Sequence, residues 1–204
     1  MRRLYCMIAL LTFVPSLSAG EFNPVLSIGD KAPVWKDLPG VDGKQHSLAD
    51  FKSKDVLVVV FTCNSCPYAV DYEDRLLSFA KQHAGSDSKV GLVAINVNKV
   101  EEDLLPAMQT KAKQKSFSFP YLFDESQQIA KDFGAGFTPE FFVLNKDRKV
   151  VYMGSMDDNA NPDKAVRNYV TEAVRATLAG QEPAKKEAVP IGCRIRIETR
   201  KRMK

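Results

Sequence analysis

Apolar residues in this chain gather in short runs separated by polar, turn-forming stretches. The densest run is Val56-Leu57-Val58-Val59-Val60-Phe61, whose valine content and lack of alternation predict a strand buried on both faces. Ala69, Val70, Glu73, Leu76, Leu77 and Ala80 follow at spacings of three to four residues, as on a helix with one inward face. Val90, Leu92, Val93 and Ile95 predict a second strand over 89–97, and Leu104, Leu105, Met108 and Ala112 share one face of a helix over 101–115. Residues 117–123 read as extended, interrupted by Pro120. Asp124, with Gln127 in capping-box position, opens a further helix that stops at Gly134 and Gly136.

A third strong strand is predicted over 140–144, then a turn over 145–148 and a returning strand over 149–153. Asn161-Pro162-Asp163 opens the last helix, with Ala165, Tyr169, Ala173, Ala176 and Leu178 inward and Gly180 as its end. Upstream, Pro24 and Pro33 keep 20–36 irregular, and Trp35 is expected as a core or rim anchor. Asp42-Gly43 fits a tight hairpin, and residues 47–51 a short helical turn. Residues 181–190 read as a linker, and 192–198 alternate arginine and isoleucine as a half-exposed strand would. Early strands separated by helices pair in parallel through right-handed crossovers, and the closing tight pair adds an antiparallel edge. The class is α/β: a central mixed sheet with helices on both faces.

The ends change the picture. Arg2-Arg3, an apolar run over 4–14 and the small residues 16–19 have the layout of a secretory signal peptide cut near Ala19-Gly20. The expected organisation is a signal peptide at 1–19, one domain at 20–180 and a basic tail at 181–204. The mature chain is then exported, periplasmic or secreted, with no integral membrane span. The net charge of +4 is unevenly placed, since Arg2 and Arg3 carry +2, residues 20–184 carry −4 and residues 185–204 carry +6. An export signal and a tail without interleaved aromatics argue against a nucleic-acid partner. The tail reads as a solvated terminal segment, or else as a contact for an anionic surface.

Candidate chemistry lies just after the first strand. Cys63-Asn64-Ser65-Cys66 is a C-x-x-C between a buried strand and a helix, a redox layout. Free amides and the dipole of a first helical turn favour thiolate over thiol. Cys63, the outer and earlier cysteine, is the expected nucleophile, and Cys66 the less exposed partner that resolves a mixed disulfide. Cys193 leaves the exported chain with an odd cysteine. It is either a third redox thiol, able to attack a Cys63–Cys66 disulfide or pair with another chain, or a buried inert thiol. A copper carrier using two cysteines and a histidine is the rival from another class. The only histidines are His46, in the hairpin, and His83, late in a helix, and neither is placed to complete a soft-metal site. Asp157-Asp158-Asn159 lacks the spacing of a calcium loop and reads as a turn. No metal and no cofactor is expected.

Three segments resemble the thioredoxin-fold redoxins, in the branch grouped with alkyl hydroperoxide reductase and thiol-specific antioxidant proteins. They are Asp42-Gly43-Lys44 through Leu48-Ala49-Asp50-Phe51, then Phe61-Thr62-Cys63-Asn64-Ser65-Cys66-Pro67-Tyr68 with Tyr72-Glu73-Asp74-Arg75, and Phe133-Gly134-Ala135-Gly136-Phe137-Thr138-Pro139-Glu140-Phe141-Phe142-Val143. The resemblance implies a thioredoxin-like three-layer fold and an exported thiol–disulfide oxidoreductase. It implies a cis bond before Pro139, with Thr138 and Pro139 holding an extended substrate against the cysteines. Its partners would be a disulfide-containing protein or small thiol, and an unidentified thiol reductant. Related redoxins carry a similar Gly-Cys near the end, as at Gly192-Cys193. Two acids that such enzymes use in proton handling are absent: Leu57 stands six positions before Cys63, and Ala69 three after Cys66. Asp71 and Glu73 further along the helix read as solvated. The alternative activity is a thiol-dependent peroxidase, but Thr62, one residue before Cys63, is misplaced for the threonine of a peroxiredoxin, so the spacing favours dithiol exchange.

Overall fold

In the computed structural model the described residues are 20–198. The signal-peptide reading of 1–19 and the basic end at 199–204 lie outside them. Among the described residues no helix is long and apolar enough to cross a membrane.

The valine run forms β3 (Val56–Phe61), all six residues buried. Period-two alternation sends Val56, Val58 and Val60 to one apolar cluster and Leu57, Val59 and Phe61 to another. Each such side chain stabilises the fold by roughly 1.5–3 kcal/mol. β3 therefore sits mid-sheet, parallel to β4 (Val90–Asn96) and antiparallel to β7 (Glu140–Leu144). β5 (Tyr121–Phe123) and β8 (Val150–Gly154) complete the strand order β5-β4-β3-β7-β8. The expected mixed sheet and antiparallel edge pair are thus present, and the thioredoxin-like architecture with them. Upstream, β1 (Leu38–Pro39) and β2 (Gln45–His46) make the Asp42-Gly43 hairpin, and Trp35 is buried between Phe51 and Phe133.

One sheet face carries α2 (Glu73–Gln82), α3 (Leu105–Lys115) and α5 (Tyr169–Leu178), through Leu76, Phe79, Met108, Val170, Ala173 and Val174. The other carries α4 (Gln128–Phe133), through Ile129, Ala130 and Phe133. Gly134, at φ +65°, ends α4 as its left-handed cap.

Several boundaries differ from expectation. The helix after Cys66 is two pieces, α1 (Pro67–Asp71) and α2, hinged at Tyr72, whose hydroxyl donates to buried Asp157 at 2.6 Å. The break rotates Val70 outward and Glu73 inward. The last helix begins at Tyr169, capped by Asn168. This later start places Val170, Ala173 and Val174 inside while Leu178 is exposed. Gln127 makes no capping box; its side chain donates instead to Val97 and Arg196 carbonyls at 2.8 Å. The tail is not a solvated segment up to Glu198. Cys193–Arg194 forms β9, which pairs antiparallel with β6 (Phe137–Thr138).

Candidate active site

β3 ends at Phe61 and delivers Thr62 and Cys63 to the sheet's end, while Cys66 caps α1. Both cysteines are only 3% exposed, so Cys63 is not the outer, accessible sulfur that its sequence position suggests. The turn amides expected to face that sulfur are already engaged. Asp103, fully buried in a short 3-10 turn, accepts from the Asn64 amide at 2.7 Å, the Ser65 amide at 2.9 Å and the Ser65 hydroxyl at 2.6 Å. The Asn64 side chain donates to Glu102 O at 2.7 Å and accepts from the Tyr121 hydroxyl at 3.1 Å. Burial first, and then the nearby Cys63, Asp103 and Glu73, push the Tyr121 phenol well above its ordinary range.

Glu73, read from sequence as solvated, is buried and bridges Lys111 at 2.7 Å and Lys115 at 3.0 Å. Lys111 also reaches Asn64 O at 3.4 Å. The C-x-x-C loop is thus pinned by a carboxylate and an ion-pair cluster. Asp103 was invisible in sequence because it closes an acidic Glu101-Glu102-Asp103 triplet that looks like surface.

Opposite the loop, the Thr138–Pro139 bond is cis, as the resemblance implies. Thr138 Oγ1 lies 3.4 Å from Cys63 Sγ, and Thr138 O lies 3.2 Å from Cys66 Sγ. Glu140, just beyond, is buried and accepts from the Gly136 and Phe137 amides at 2.8 and 3.0 Å. Burial pushes its carboxyl up to about 7 against the lowering pull of those amides.

The disulfide differs from the expected one. Cys66 is joined to Cys193, 127 residues away in sequence with Cα atoms 6.1 Å apart, and Cys63 is a free thiol. Cys193 is therefore bonded to Cys66 rather than held as an unpaired thiol. The long-range pairing follows from β9 lying beside Thr138, with Thr138 and Cys193 in register. The histidines are placed elsewhere: His46 pairs with Asp42 at 3.0 Å, and His83 packs on Phe79. Among the described residues no group of three or more His, Cys, Asp or Glu side chains could hold a metal ion. Asp157 accepts from Tyr72 and Arg75, consistent with a structural turn.

A C-x-x-C at the end of a central β-strand, facing a cis-proline, defines a thioredoxin-fold protein of redox type. The Redoxin family model matches residues 27–171, and the chain belongs to that family. A crystal structure of a hypothetical protein from Sinorhizobium meliloti is 34% identical, covering 85% of this chain and 96% of that one at a TM-score of 0.77. Thiol-disulfide oxidoreductase ResA of Bacillus cereus is 26% identical over 157 residues, 74% of this chain and 86% of the relative. A Mycobacterium tuberculosis protein carried under a peroxiredoxin name is 28% identical over 142 residues, 62% of this chain and 83% of that one.

Proposed function

We propose that this chain, an oxidoreductase of the Redoxin family, performs thiol–disulfide exchange on cysteine-containing polypeptides through Cys63 and Cys66. The observation that carries the reading is the convergence of three cysteines and the cis-Pro139 edge within one small cluster, in which Cys193 packs on Cys63, Cys66 and Ala69. Once a thiol reductant has returned Cys66 and Cys193 to thiols, Cys63 attacks a client disulfide, forming a mixed disulfide and releasing one client sulfur as a thiol. Cys66 then attacks the Cys63 sulfur, and the client leaves as a thiol. Thr138 and Pro139 present the client, Thr138 through its backbone. Exposed Tyr68 and Leu104 flank the loop and supply apolar contact for a polypeptide. Residues 1–19, with their basic start and apolar run, support export to a periplasmic or extracellular site. An unidentified thiol reductant completes the cycle.

Reduction of a protein disulfide by dithiothreitol, followed with wild type and Cys63→Ser, tests this. Turnover above the uncatalysed rate that vanishes in Cys63→Ser supports the reading; equal rates for both proteins refute it.

One observation favours a second reading, peroxide reduction. The Thr138 hydroxyl stands beside Cys63 Sγ, where the sequence spacing of Thr62 offered nothing, and one relative bears a peroxiredoxin name. Peroxide consumption that persists in Cys66→Ser would select it.

A further inference from the structure

Residues 190–198 take the place an incoming strand would take. After α5 the chain runs beside β8, where the Met153 amide donates to Lys186 O at 3.0 Å and the Ala188 amide to Met153 O at 3.1 Å. It then crosses to the cysteines. A β-carbon on Gly192 would stand 2.2 Å from the Thr138 carbonyl oxygen, so only glycine lets the backbone approach this closely. Cys193 and Arg194 then add to the β6 edge, and the Arg194 guanidinium lies 5.4 Å from the Phe137 ring centroid. The Ile195 amide donates to Gly136 O at 2.8 Å, and its side chain is buried in the core on the α4 face. Gln127 grips the end of the strap: its Nε2 donates to Arg196 O and its Oε1 accepts from the Glu198 amide, each at 2.8 Å. The Arg196 amide donates to Asn98 Oδ1 at 3.1 Å.

A client strand adding at Thr138 needs the edge that β9 already holds, and a client disulfide needs a thiol that is buried. The closed form keeps its nucleophile free and its resolving cysteine tied to the strap. We propose that Cys193 is a third redox-active cysteine, and that residues 190–198 are an internal occupant of the client edge released by exchange within the chain. This rests on the reading of Cys63 and Cys66 given above. Cys63 gives its proton to water, and its thiolate attacks Cys66 Sγ. The Cys63–Cys66 bond forms and the Cys66–Cys193 bond breaks. The electron pair leaves on Cys193, which takes a proton from water. One disulfide and one thiol stand on each side, so no outside oxidant or reductant enters. The strap is then held only by non-covalent contacts; two equivalents of a thiol reductant return Cys63 and Cys66 to thiols, themselves becoming a disulfide, and an extended disulfide-bearing segment of a polypeptide client can displace the strap and meet Cys63.

The test uses the oxidised full chain. Non-reducing peptide mapping of wild type, equilibrated in a glutathione redox buffer, should find both Cys66–Cys193 and Cys63–Cys66. Hydrogen exchange then compares Cys63→Ser, which can hold only Cys66–Cys193, with Cys193→Ser, which can hold only Cys63–Cys66. Amides of 194–198 should exchange at least tenfold faster in Cys193→Ser, while β3 amides stay equally slow in both and so report an intact fold. Gly192→Val keeps all three thiols and should raise the ratio of Cys63–Cys66 to Cys66–Cys193 at least threefold. A wild type that only ever shows one of the two bonds, or equal strap exchange in the two serine variants, would overturn the proposal. Those results leave protein-disulfide turnover to be judged separately: turnover with a static strap removes the strap alone, whereas a mobile strap without turnover removes the oxidoreductase reading.

Discussion

Asp103 and Glu140 are both buried acids beside the cysteines, and their surroundings give them opposite consequences. Asp103 accepts hydrogen bonds from the Asn64 and Ser65 amides and the Ser65 hydroxyl, and hydrogen bonds to a carboxylate contribute about 1.5–3 kcal/mol net each, less than additively when they share one acceptor group. Asp103→Ala should therefore cost about 2–4 kcal/mol in urea unfolding. It should also slow Cys63 reaction with a disulfide probe roughly tenfold, through loss of loop placement. Asp103→Asn, which keeps one acceptor oxygen, should recover part of both; no recovery would mean the carboxylate acts otherwise. Glu140 has its carboxyl raised from 4.5 to about 7 by burial. The folded state holds that proton more tightly than the unfolded chain. Its stabilising share is complete below about pH 4.5 and is lost as pH rises through about 7. Glu140→Gln removes this titration, so the fall in stability between pH 5 and 8 should shrink by up to about 3 kcal/mol relative to wild type. Parallel slopes for both proteins would show that Glu140 is ionised throughout.

At the scale of elements, local pattern proved sufficient wherever one element buries its own face. The valine run, the hairpin at Asp42-Gly43 and the returning strand β8 are periodic within themselves, and they stand where periodicity puts them. The misplaced features depend on distant partners. Tyr72 breaks the first helix as it reaches Asp157, 85 residues on, and Gln127 leaves its cap to hold Arg196, 69 residues on. Nothing near either residue encodes that partner. The tail was obscured for the same reason: alternating Arg and Ile predicts a half-exposed strand but not the edge it joins. Gln127→Ala should loosen residues 196–198, just beyond β9, at a cost of about 1–2 kcal/mol. Faster hydrogen exchange at 196–198 with an unchanged global melting profile is the expected result; a uniform loss of stability would make Gln127 part of the core instead.

For the whole molecule, the choice of disulfide sets how far the unfolded chain is constrained. Closing the long loop between Cys66 and Cys193, a separation of 127 residues, is worth about 5 kcal/mol by loop entropy, against about 2 kcal/mol for the short Cys63–Cys66 loop. Oxidised Cys63→Ser should therefore be about 3 kcal/mol more stable than oxidised Cys193→Ser in denaturant, and the gap should vanish on reduction. A gap that survives reduction would assign the difference to packing. The cysteine motif, the cis-Pro139 segment and the redox chemistry were readable from spacing and resemblance. Which two cysteines bond was not, because that depends on where the chain's last strand comes to rest.

The most direct test of exchange at Cys63 is capture of a client. In Cys66→Ser/Cys193→Ser no second thiol of the cluster remains to resolve a bond at Cys63, so a mixed disulfide with an oxidised cysteine peptide should persist. Mass spectrometry of the digested adduct should place the peptide on Cys63. The absence of any adduct on Cys63 under conditions where the folded protein is intact would contradict Cys63 as the nucleophile.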